Sequence, residues 1–356
     1  MTWLEPPGPT GVRPSPRPRA VTVGEGLAVL VARPGPLEES ETFKRTAGGA
    51  EANAATVLTQ LGVATAWLSR VGDDGFGRYL VHHLAERGVD VSAVGTDPRR
   101  PTAVYVKERG GGSGRATDLA ERASRMLYYR TGSAASALSA ADLAVPPAAQ
   151  LLEGCELIHF TGITTALSES ATELTEALIA LARDDRLVSF DLNYRPALWT
   201  GRSTAAEILA HHVRGSDVVF LGADEALAVF GTGHADELRA LFPEPRQLIV
   251  KNDRHTVTGF DGTRRVEVPA LTLDVTERIG AGDAFAGGYL AALLHGRPLE
   301  QRLRLGHLCA AAALTGSGDV AELPPRPVLE RLADIDESTW AELYYSDAVV
   351  TESRAS

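Results

Sequence analysis

Strand-like and helix-like segments alternate along most of this chain of 356 residues. Short apolar runs such as "ELIHFTG", "RLVSFDLN" and "DVVFLGA" are separated by longer segments with helical spacing, for example "SESATELTEALIALARDD". This order predicts an α/β domain with a mostly parallel sheet, because parallel strands need crossover connections that are usually helices. Ligands of such sheets bind at the carboxyl ends of the strands, so we expect a functional site there.

Two segments interrupt the alternation. Residues 27–46 and 101–131 have strand-like patterns with no helix between their strands, which predicts a small β-sheet standing off the main domain as a lid. We expect the main domain to span residues 20–335. The Pro- and Arg-rich residues 1–19 predict a disordered extension, and residues 336–356 a loose tail.

Charge and hydropathy narrow the possible partners. The formal net charge is −11 and the pI about 5.4, which disfavours nucleic acid and anionic membranes, since both attract basic surfaces. The N-terminus lacks the apolar core of a secretory signal, and the apolar runs are too short to span a bilayer, so we expect a cytoplasmic protein. Cys155 and Cys309 are predicted to be buried hydrophobes rather than a disulfide or zinc ligands.

The stretch "GAGDAFAGG" at residues 280–288 is the strongest local signal for chemistry. Gly280, Ala281 and Gly282 leave backbone amides accessible where a helix begins, and unpaired N–H groups at that end attract anions. We expect Asp283 at the N-cap, where it either caps the helix or takes a proton from an attacking hydroxyl. Two further glycines one turn into the helix favour the second role, because they cost stability unless something packs closely against them.

This stretch strongly resembles the C-terminal signature of ribokinase-like (PfkB) carbohydrate kinases. "GGAEANAA", at residues 48–55, resembles the N-terminal signature of the same family, and the resemblance extends over roughly residues 21–325. It implies a ribokinase-like three-layer α/β/α domain with a β-sheet lid. It also implies phosphorylation of a sugar hydroxyl with ATP and Mg²⁺, with Asp283 as the base and residues 280–283 as the anion hole.

Within that family, "TAVYVKE", "LYYRTGSAAS" and "DLNYRPALW" are most similar to 2-keto-3-deoxygluconate kinases. The carboxylate of such a sugar acid suits Arg, which can form two parallel hydrogen bonds, and Tyr, which has one hydroxyl donor. The resemblance implies sugar-acid contacts at Gly49, Tyr105, Tyr128, Arg130 and Arg195. Packing within the sheet is the alternative for the tyrosines, and a surface salt bridge is the alternative for Arg195.

Two further residues are candidate sugar contacts. Glu25 follows the first predicted strand, at an edge that lies close to the sugar in the family; an ordinary turn acid is the alternative. Asn53 lies one turn into the predicted "GGAEAN" helix and could reach a sugar hydroxyl, or could form a cap or core hydrogen bond instead.

The nucleotide side departs from the family pattern. The Asn-x-x-Glu motif is replaced by "GADE", so Gly222 stands at the Asn position, and Glu225 would hold Mg²⁺ through water or be a solvated acid. Lys251 and Asn252 begin a loop, "VKNDRHTVT", that usually carries glycines under the nucleotide. His307 stands where related kinases have Asn beside the adenine, and either stacks on the base or belongs to the core. These departures leave the identity of the nucleotide open.

Three functional hypotheses follow. The first is a kinase for a 2-keto-3-deoxy sugar acid, and the second is a fructokinase or another neutral-sugar kinase. The third is a sugar-sensing protein on a kinase fold with weakened ATP binding, suggested by the altered "KNDRHT" loop. We also expect a homodimer through the lid, because exposed sheet edges favour strand pairing.

Overall fold

The computed structural model describes most of the chain. The described residues are 18–121, 123–181, 186–201, 204–252, 255–276, 279–316, 322–346 and 349–352. Of the predicted extension, only Pro18 and Arg19 are among them, and Asp253 of the loop expected under the nucleotide is not.

Strands and helices alternate as the sequence predicts. The strands are β1 Ala20–Val23, β2 Leu27–Pro34, β3 Phe43–Gly48, β4 Thr65–Gly72, β5 Val94–Asp97, β6 Val104–Arg109, β7 Ser124–Tyr129, β8 Leu157–Thr161, β9 Leu187–Asp191, β10 Val218–Gly222, β11 Gln247–Asn252, β12 Thr256–Asp261, β13 Arg264–Pro269, β14 Thr272–Leu273, β15 Leu343–Ser346 and β16 Val349–Glu352. The α-helices are α1 Ala50–Gln60, α2 Gly75–Ala85, α3 Ala148–Gly154, α4 Gly162–Ala166, α5 Glu169–Ala180, α6 Ala205–Gly215, α7 Ala223–Phe230, α8 Ala235–Leu241, α9 Ala281–Leu294, α10 Leu299–Thr315, α11 Arg326–Ala333 and α12 Glu337–Ala341.

The main sheet has nine strands within the described residues, in the order β13-β12-β11-β10-β9-β8-β1-β4-β5. The strands from β11 to β5 run parallel, and β12 and β13 extend one edge as antiparallel strands. This confirms the mostly parallel α/β sheet. The carboxyl ends of β1, β8, β9, β10 and β11 therefore lie along one rim.

Both faces of the sheet are covered by apolar cores. Along β10, Val218 and Phe220 point into a core formed with α1, α9 and α10, whereas Val219 and Leu221 point into a core formed with α5 and α6. This alternation follows from the two-residue period of a strand, and it explains why β10 is a continuous apolar run. Cys155 and Cys309 are buried in these two cores.

The two segments that interrupt the alternation form a separate four-stranded sheet, in the order β3-β2-β6-β7. Strands β2 and β6 are parallel and the other two pairs are antiparallel. We call it the lid sheet. It has its own small core of Leu27, Val29, Ala103 and Tyr105. The prediction of a small additional sheet is confirmed.

The C-terminal segment differs from the predicted loose tail. Residues 337–352 contain α12, β15 and β16, and β15 pairs in parallel with β14 to form a third sheet. Trp340 and Tyr345 are buried, and the Trp340 indole donates to the carbonyl of Pro269 at 3.0 Å. These large aromatic residues anchor the segment to the rest of the fold. In the sequence, the polar residues around them hid this signal. Among the helices described, none is both long enough and apolar enough to cross a bilayer.

Candidate active site

The start of α9 lies at the carboxyl rim of the main sheet, beside Lys251 of β11. Gly280 has a φ of 79°, in the left-handed region, and is the N-cap; the helix begins at Ala281. The prediction that Asp283 is the N-cap is therefore wrong, since Asp283 is the third residue of the helix. The correction leaves the carboxylate in the first turn, where it is stabilised by the helix dipole.

The two glycines inside α9 allow close packing. A Cβ added to Gly287 would lie 2.8 Å from Val57, and one added to Gly288 would lie 2.7 Å from the Cys309 sulfur. Neighbouring helices α1 and α10 therefore approach the backbone of α9 directly. This contact fixes the helix whose first turn forms the candidate anion hole.

Two asparagines hold the Asp283 carboxylate. The Asn53 side-chain amide donates to Oδ2 at 2.9 Å, and the Asn193 amide donates to Oδ1 at 3.1 Å. Asn53 comes from the first turn of α1, as the signature motif predicts. Asn193, two residues after β9, was not singled out from the sequence, although it lies within the "DLNYR" stretch.

A buried ion pair lies next to this turn. Lys251 Nζ donates to Asp191 Oδ2 at 2.8 Å and lies 3.5 Å from where a Cβ of Gly282 would be. Burial alone would lower the pKa of the Lys251 ammonium, but the charges of Asp191 and Glu225 raise it above its usual value. Lys251 is therefore a fixed positive charge at the anion hole.

Arg195 and Glu225 form a second ion pair on this rim. Arg195 Nη1 donates to Glu225 Oε1 at 2.8 Å and to the carbonyl of Tyr194 at 2.9 Å. The sequence assigned these two residues to different ligands, the sugar acid and Mg²⁺, yet they are in contact. Gly222 makes room for this pair, since a Cβ there would lie 3.0 Å from Glu225 Oε2.

A second group of candidate residues lies around Glu25. Its buried carboxylate accepts a hydrogen bond from Ser133 Oγ at 2.9 Å and another from Arg130, which forms an ion pair with it. Glu25 is thus not an ordinary exposed turn acid. Gly49 has a φ of 125°, and a Cβ there would lie 2.3 Å from the Glu25 carbonyl oxygen, so only glycine fits.

The two predicted tyrosines occupy different environments. Tyr105 and Tyr128 face each other across β6 and β7 with ring centroids 5.2 Å apart. Tyr105 is buried in the lid-sheet core, as the sheet-packing alternative predicts, whereas Tyr128 is 49% exposed. The Arg130 guanidinium lies 5.5 Å from the centre of the Tyr128 ring. Tyr128 is therefore the accessible residue of the two tyrosines, and Arg130 lies beside its ring.

His307 is placed as a core histidine. It is 7% exposed, with its ring edge-on to Phe285 at 5.4 Å and close to Trp340 at 6.2 Å. Burial lowers the pKa of His307 to about 4, so its ring is neutral. The prediction that it stacks on a base is not supported by this position. Asn252, at the end of β11, is exposed and pairs with Thr256 across the β11–β12 hairpin.

Glu51 is a buried acid that sequence reasoning did not single out. Its Oε1 accepts hydrogen bonds from the Thr161 amide and hydroxyl and from the Thr164 hydroxyl, at 2.7–3.0 Å. Its Oε2 is buried without a hydrogen-bond partner in the described structure. Burial raises the pKa of Glu51 to about 7. The "GGAE" motif contained this residue, but only the fold shows that it joins α1 to the end of β8.

Comparisons with known proteins show the family of this chain. The family model for pfkB family carbohydrate kinases matches residues 19–326. The chain belongs to this family. It is 34% identical over 317 residues to a 2-dehydro-3-deoxygluconokinase of Thermoproteus tenax, covering 88% of this chain and 93% of the relative. It is also 30% identical to a fructokinase of Rhizobium leguminosarum bv. trifolii, covering 78% of this chain and 81% of the relative.

Solved structures of the pfkB family share the fold. The chain superposes on a PfkB protein from Polaromonas sp. JS666 with a TM-score of 0.75 and 30% identity, covering 88% of this chain and 99% of the other. This pfkB protein is therefore a carbohydrate kinase with the ribokinase-like architecture that the sequence predicts.

Proposed function

We propose that this pfkB kinase transfers the γ-phosphoryl group of ATP to the terminal hydroxyl of a 2-keto-3-deoxy sugar acid, with 2-keto-3-deoxygluconate as the leading substrate. The observation that carries the proposal is the position of Asp283 in the first turn of α9, with one asparagine amide on each carboxylate oxygen. A proton acceptor beside the donors of a helix N-terminus supplies both groups that phosphoryl transfer needs. The name of the Thermoproteus tenax relative supports the substrate class.

In the proposed reaction, Asp283 accepts the proton of the terminal hydroxyl. The hydroxyl oxygen then bonds to the γ-phosphorus while the bond to the bridging oxygen breaks, and ADP leaves with that electron pair. The backbone amides of Ala281, Gly282 and Asp283, together with the Lys251 ammonium, stabilise the charge on the transferring group. Catalysis then depends on positioning and charge stabilisation, with no covalent enzyme intermediate.

The residues present fit a magnesium ion. Asp191 Oδ1 is buried and has no hydrogen-bond partner among the described residues, and Glu225 lies on the same rim. Two carboxylates suit Mg²⁺, which prefers oxygen ligands and keeps several waters, so Glu225 would hold the ion through water. Bound Mg²⁺ would neutralise charge on the donor phosphates. No cluster of three or more metal-binding side chains occurs in the described ranges.

Arg195 is the proposed partner of the sugar-acid carboxylate. Its side chain is 48% exposed, whereas that of Arg130 is 11% exposed and is compensated by buried Glu25. We assign Arg130 to holding Glu25, which with Gly49 and Asn53 would face the sugar hydroxyls. Tyr128 would supply a phenolic donor beside them, and Tyr105 would support its ring. On the nucleotide side, Gly222 and Asn252 would border the donor phosphates.

A neutral ketose is the second candidate substrate. The ion pairs Arg195–Glu225 and Arg130–Glu25 favour it, because an arginine already compensated by a carboxylate attracts a second carboxylate less than a lone arginine does. Arg195→Leu separates the two candidates. Removing a charged hydrogen-bond donor should lower kcat/KM for the sugar acid by on the order of 10- to 100-fold more than for a neutral ketose, since the loss of the Glu225 partner affects both substrates alike. An equal loss for both substrates would remove Arg195 from carboxylate recognition.

The decisive experiment is a coupled ADP-release assay with ATP and Mg²⁺ across sugar acids and neutral sugars. Asp283→Asn should lower kcat by on the order of 10²- to 10⁴-fold, since it removes the base, while calorimetry still detects sugar binding. Asp236→Asn, at an exposed acid of α8, serves as the matched control. Unchanged turnover in Asp283→Asn would refute the mechanism. Nucleotide binding without turnover of any sugar would favour the sugar-sensing alternative.

We also propose that two copies associate through the lid sheet. Its outer strands β3 and β7 present Phe43 and Tyr129, which are 40% and 65% exposed, and unpaired strand edges favour such contacts. Tyr129→Lys should then shift the mass measured by analytical ultracentrifugation from dimer to monomer. A monomeric wild-type protein would contradict the proposal.

A further inference from the structure

We propose that Asn193 is a positioning residue for the base, and that it holds the Asp283 carboxylate in the orientation that proton transfer requires. This inference rests on the proposed function, because it assumes that Asp283 is the base. Asn193 follows β9 rather than a glycine-rich turn, and it lies within the "DLNYR" stretch.

The hydrogen bonds fix both partners. Asn193 Nδ2 donates to Asp283 Oδ1 at 3.1 Å, and Asn53 Nδ2 donates to Oδ2 at 2.9 Å, so each carboxylate oxygen has one amide donor. An ionised carboxylate only accepts, so both asparagines must present their NH₂ groups. The Oδ1 atoms of both asparagines are buried without a hydrogen-bond partner in the described structure. The hydrogen bond to Asp283 therefore holds each of the buried asparagine side chains in place.

The backbone at Asn193 is unusual in a way that suits this role. Its φ is 37°, and it is the one non-glycine residue with a positive φ among the described residues. Asparagine tolerates this region better than most residues, and strained backbone of this kind clusters at functional sites. The Leu192 amide donates to the Phe220 carbonyl at 2.9 Å and so ties the turn to β10. The turn brings a buried side chain, 6% exposed, to the first turn of α9.

One short segment thereby serves two charged groups. Asp191 binds Lys251 at the anion hole, and two residues later Asn193 binds the base. In an extended strand, the side chains of residues 191 and 193 would point to the same side of the sheet, toward α9. The positive φ of Asn193 then changes the direction of its side chain. The segment 191–193 therefore sets the distance between the cation that faces the phosphoryl group and the acceptor of the proton.

The charges around Asp283 come from several elements. The electrostatic neighbours of its carboxylate are Glu51 on α1, Asp191 on β9, Lys251 on β11, and Arg195 in the loop after β9. All four remain when Asn193 is replaced. The neutral Asn193 amide therefore contributes one directed hydrogen bond to the Asp283 carboxylate. A change in the pH dependence of turnover reports on the loss of that hydrogen bond.

Two substitutions at Asn193 separate positioning from backbone strain. Asn193→Gly accommodates the positive φ and removes the amide, and Asn193→Asp keeps the shape but cannot donate when ionised. Both should lower kcat by on the order of 100-fold while the KM for the sugar changes by less than about threefold. The acidic limb of the kcat/KM–pH profile should move to higher pH, and further for Asn193→Asp, which adds a like charge. The wild type and both Asn193 variants contain Glu51, so its titration contributes equally to each of the compared pH profiles.

The outcomes are distinct. Wild-type kcat and an unmoved acidic limb in Asn193→Gly would overturn the proposal, and so would a variant whose only change is a lower melting temperature. If Asp283→Asn is inactive while Asn193→Gly behaves as wild type, the inference fails and the proposed function stands. If Asp283→Asn turns over normally, the proposed function itself fails.

Discussion

Glu51→Gln is expected to change how the free energy of unfolding depends on pH. Glu51 is fully buried, and burial raises the pKa of its carboxyl group from 4.5 to about 7. Hydrogen bonds from Thr161 and Thr164 favour the ionised form but do not offset the burial. Glutamine has the same shape, keeps the acceptor oxygen and does not titrate, so the substitution isolates the charge.

The sign follows from the direction of the shift. Because the folded protein raises the pKa, the stability that Glu51 contributes is complete below its unfolded pKa of 4.5 and is lost as the pH rises through about 7. A shift of this size corresponds to about 3 kcal/mol at 25 °C. Relative to the wild type, Glu51→Gln should therefore gain about 3 kcal/mol of unfolding free energy, most of it between about pH 5 and pH 8.

Urea denaturation followed by tryptophan fluorescence measures this difference. The wild type, Glu51→Gln and a control variant, Glu86→Gln, are each unfolded at several pH values between about pH 5 and pH 8. Glu86 is an exposed glutamate at the C-terminal end of α2. The control should track the wild type at every pH. If the Glu51→Gln curve also runs parallel to the wild type, Glu51 is not a buried titrating group and the argument from burial is wrong.

Two other substitutions test the packing and the charges around α9. Gly288→Ala should lower the free energy of unfolding by about 1–3 kcal/mol, because the new Cβ would lie 2.7 Å from the Cys309 sulfur. The control is Gly75→Ala, whose Cβ would meet nothing within 4 Å. In thermal or urea unfolding, this control should change the free energy of unfolding by less than about 0.5 kcal/mol. Lys251→Met should raise the KM for ATP and lower kcat. It should also lower the free energy of unfolding by about 3–5 kcal/mol, because it leaves Asp191 buried and unpaired. Adding Asp191→Asn should restore most of that stability but not the turnover, and recovery of both in coupled ADP-release and urea assays would refute the role of Lys251.

Much of the fold could be predicted because it depends on local patterns. The apolar runs of β8, β9 and β10 indicate buried parallel strands, and the glycines of residues 48–49 and 280–282 indicate turns at which helices begin. These signals lie within a few residues of one another. Asp283 and Asn53 were found for the same reason, since each stands within a glycine-rich motif.

Other features depend on contacts between distant parts of the chain. Glu51 meets Thr161 across 110 residues, and Asn193 meets Asp283 across 90, so no local pattern marks either of them. The pairing of Arg130 with Glu25 likewise joins the end of β7 to the end of β1. Sequence could name the charged residues of the pocket, but not which charges would already be neutralised by a neighbour.

The C-terminal pairing of β15 with β14 has a consequence for biosynthesis. Strand β14 lies a few residues before the glycine turn of α9, and its partner β15 is translated only after helices α9 to α12. The N-terminal portions of a chain fold first as they emerge. The sugar-binding side can thus assemble first, whereas the β14–β15 pairing near the phosphate-facing turn forms only after β15 has been translated.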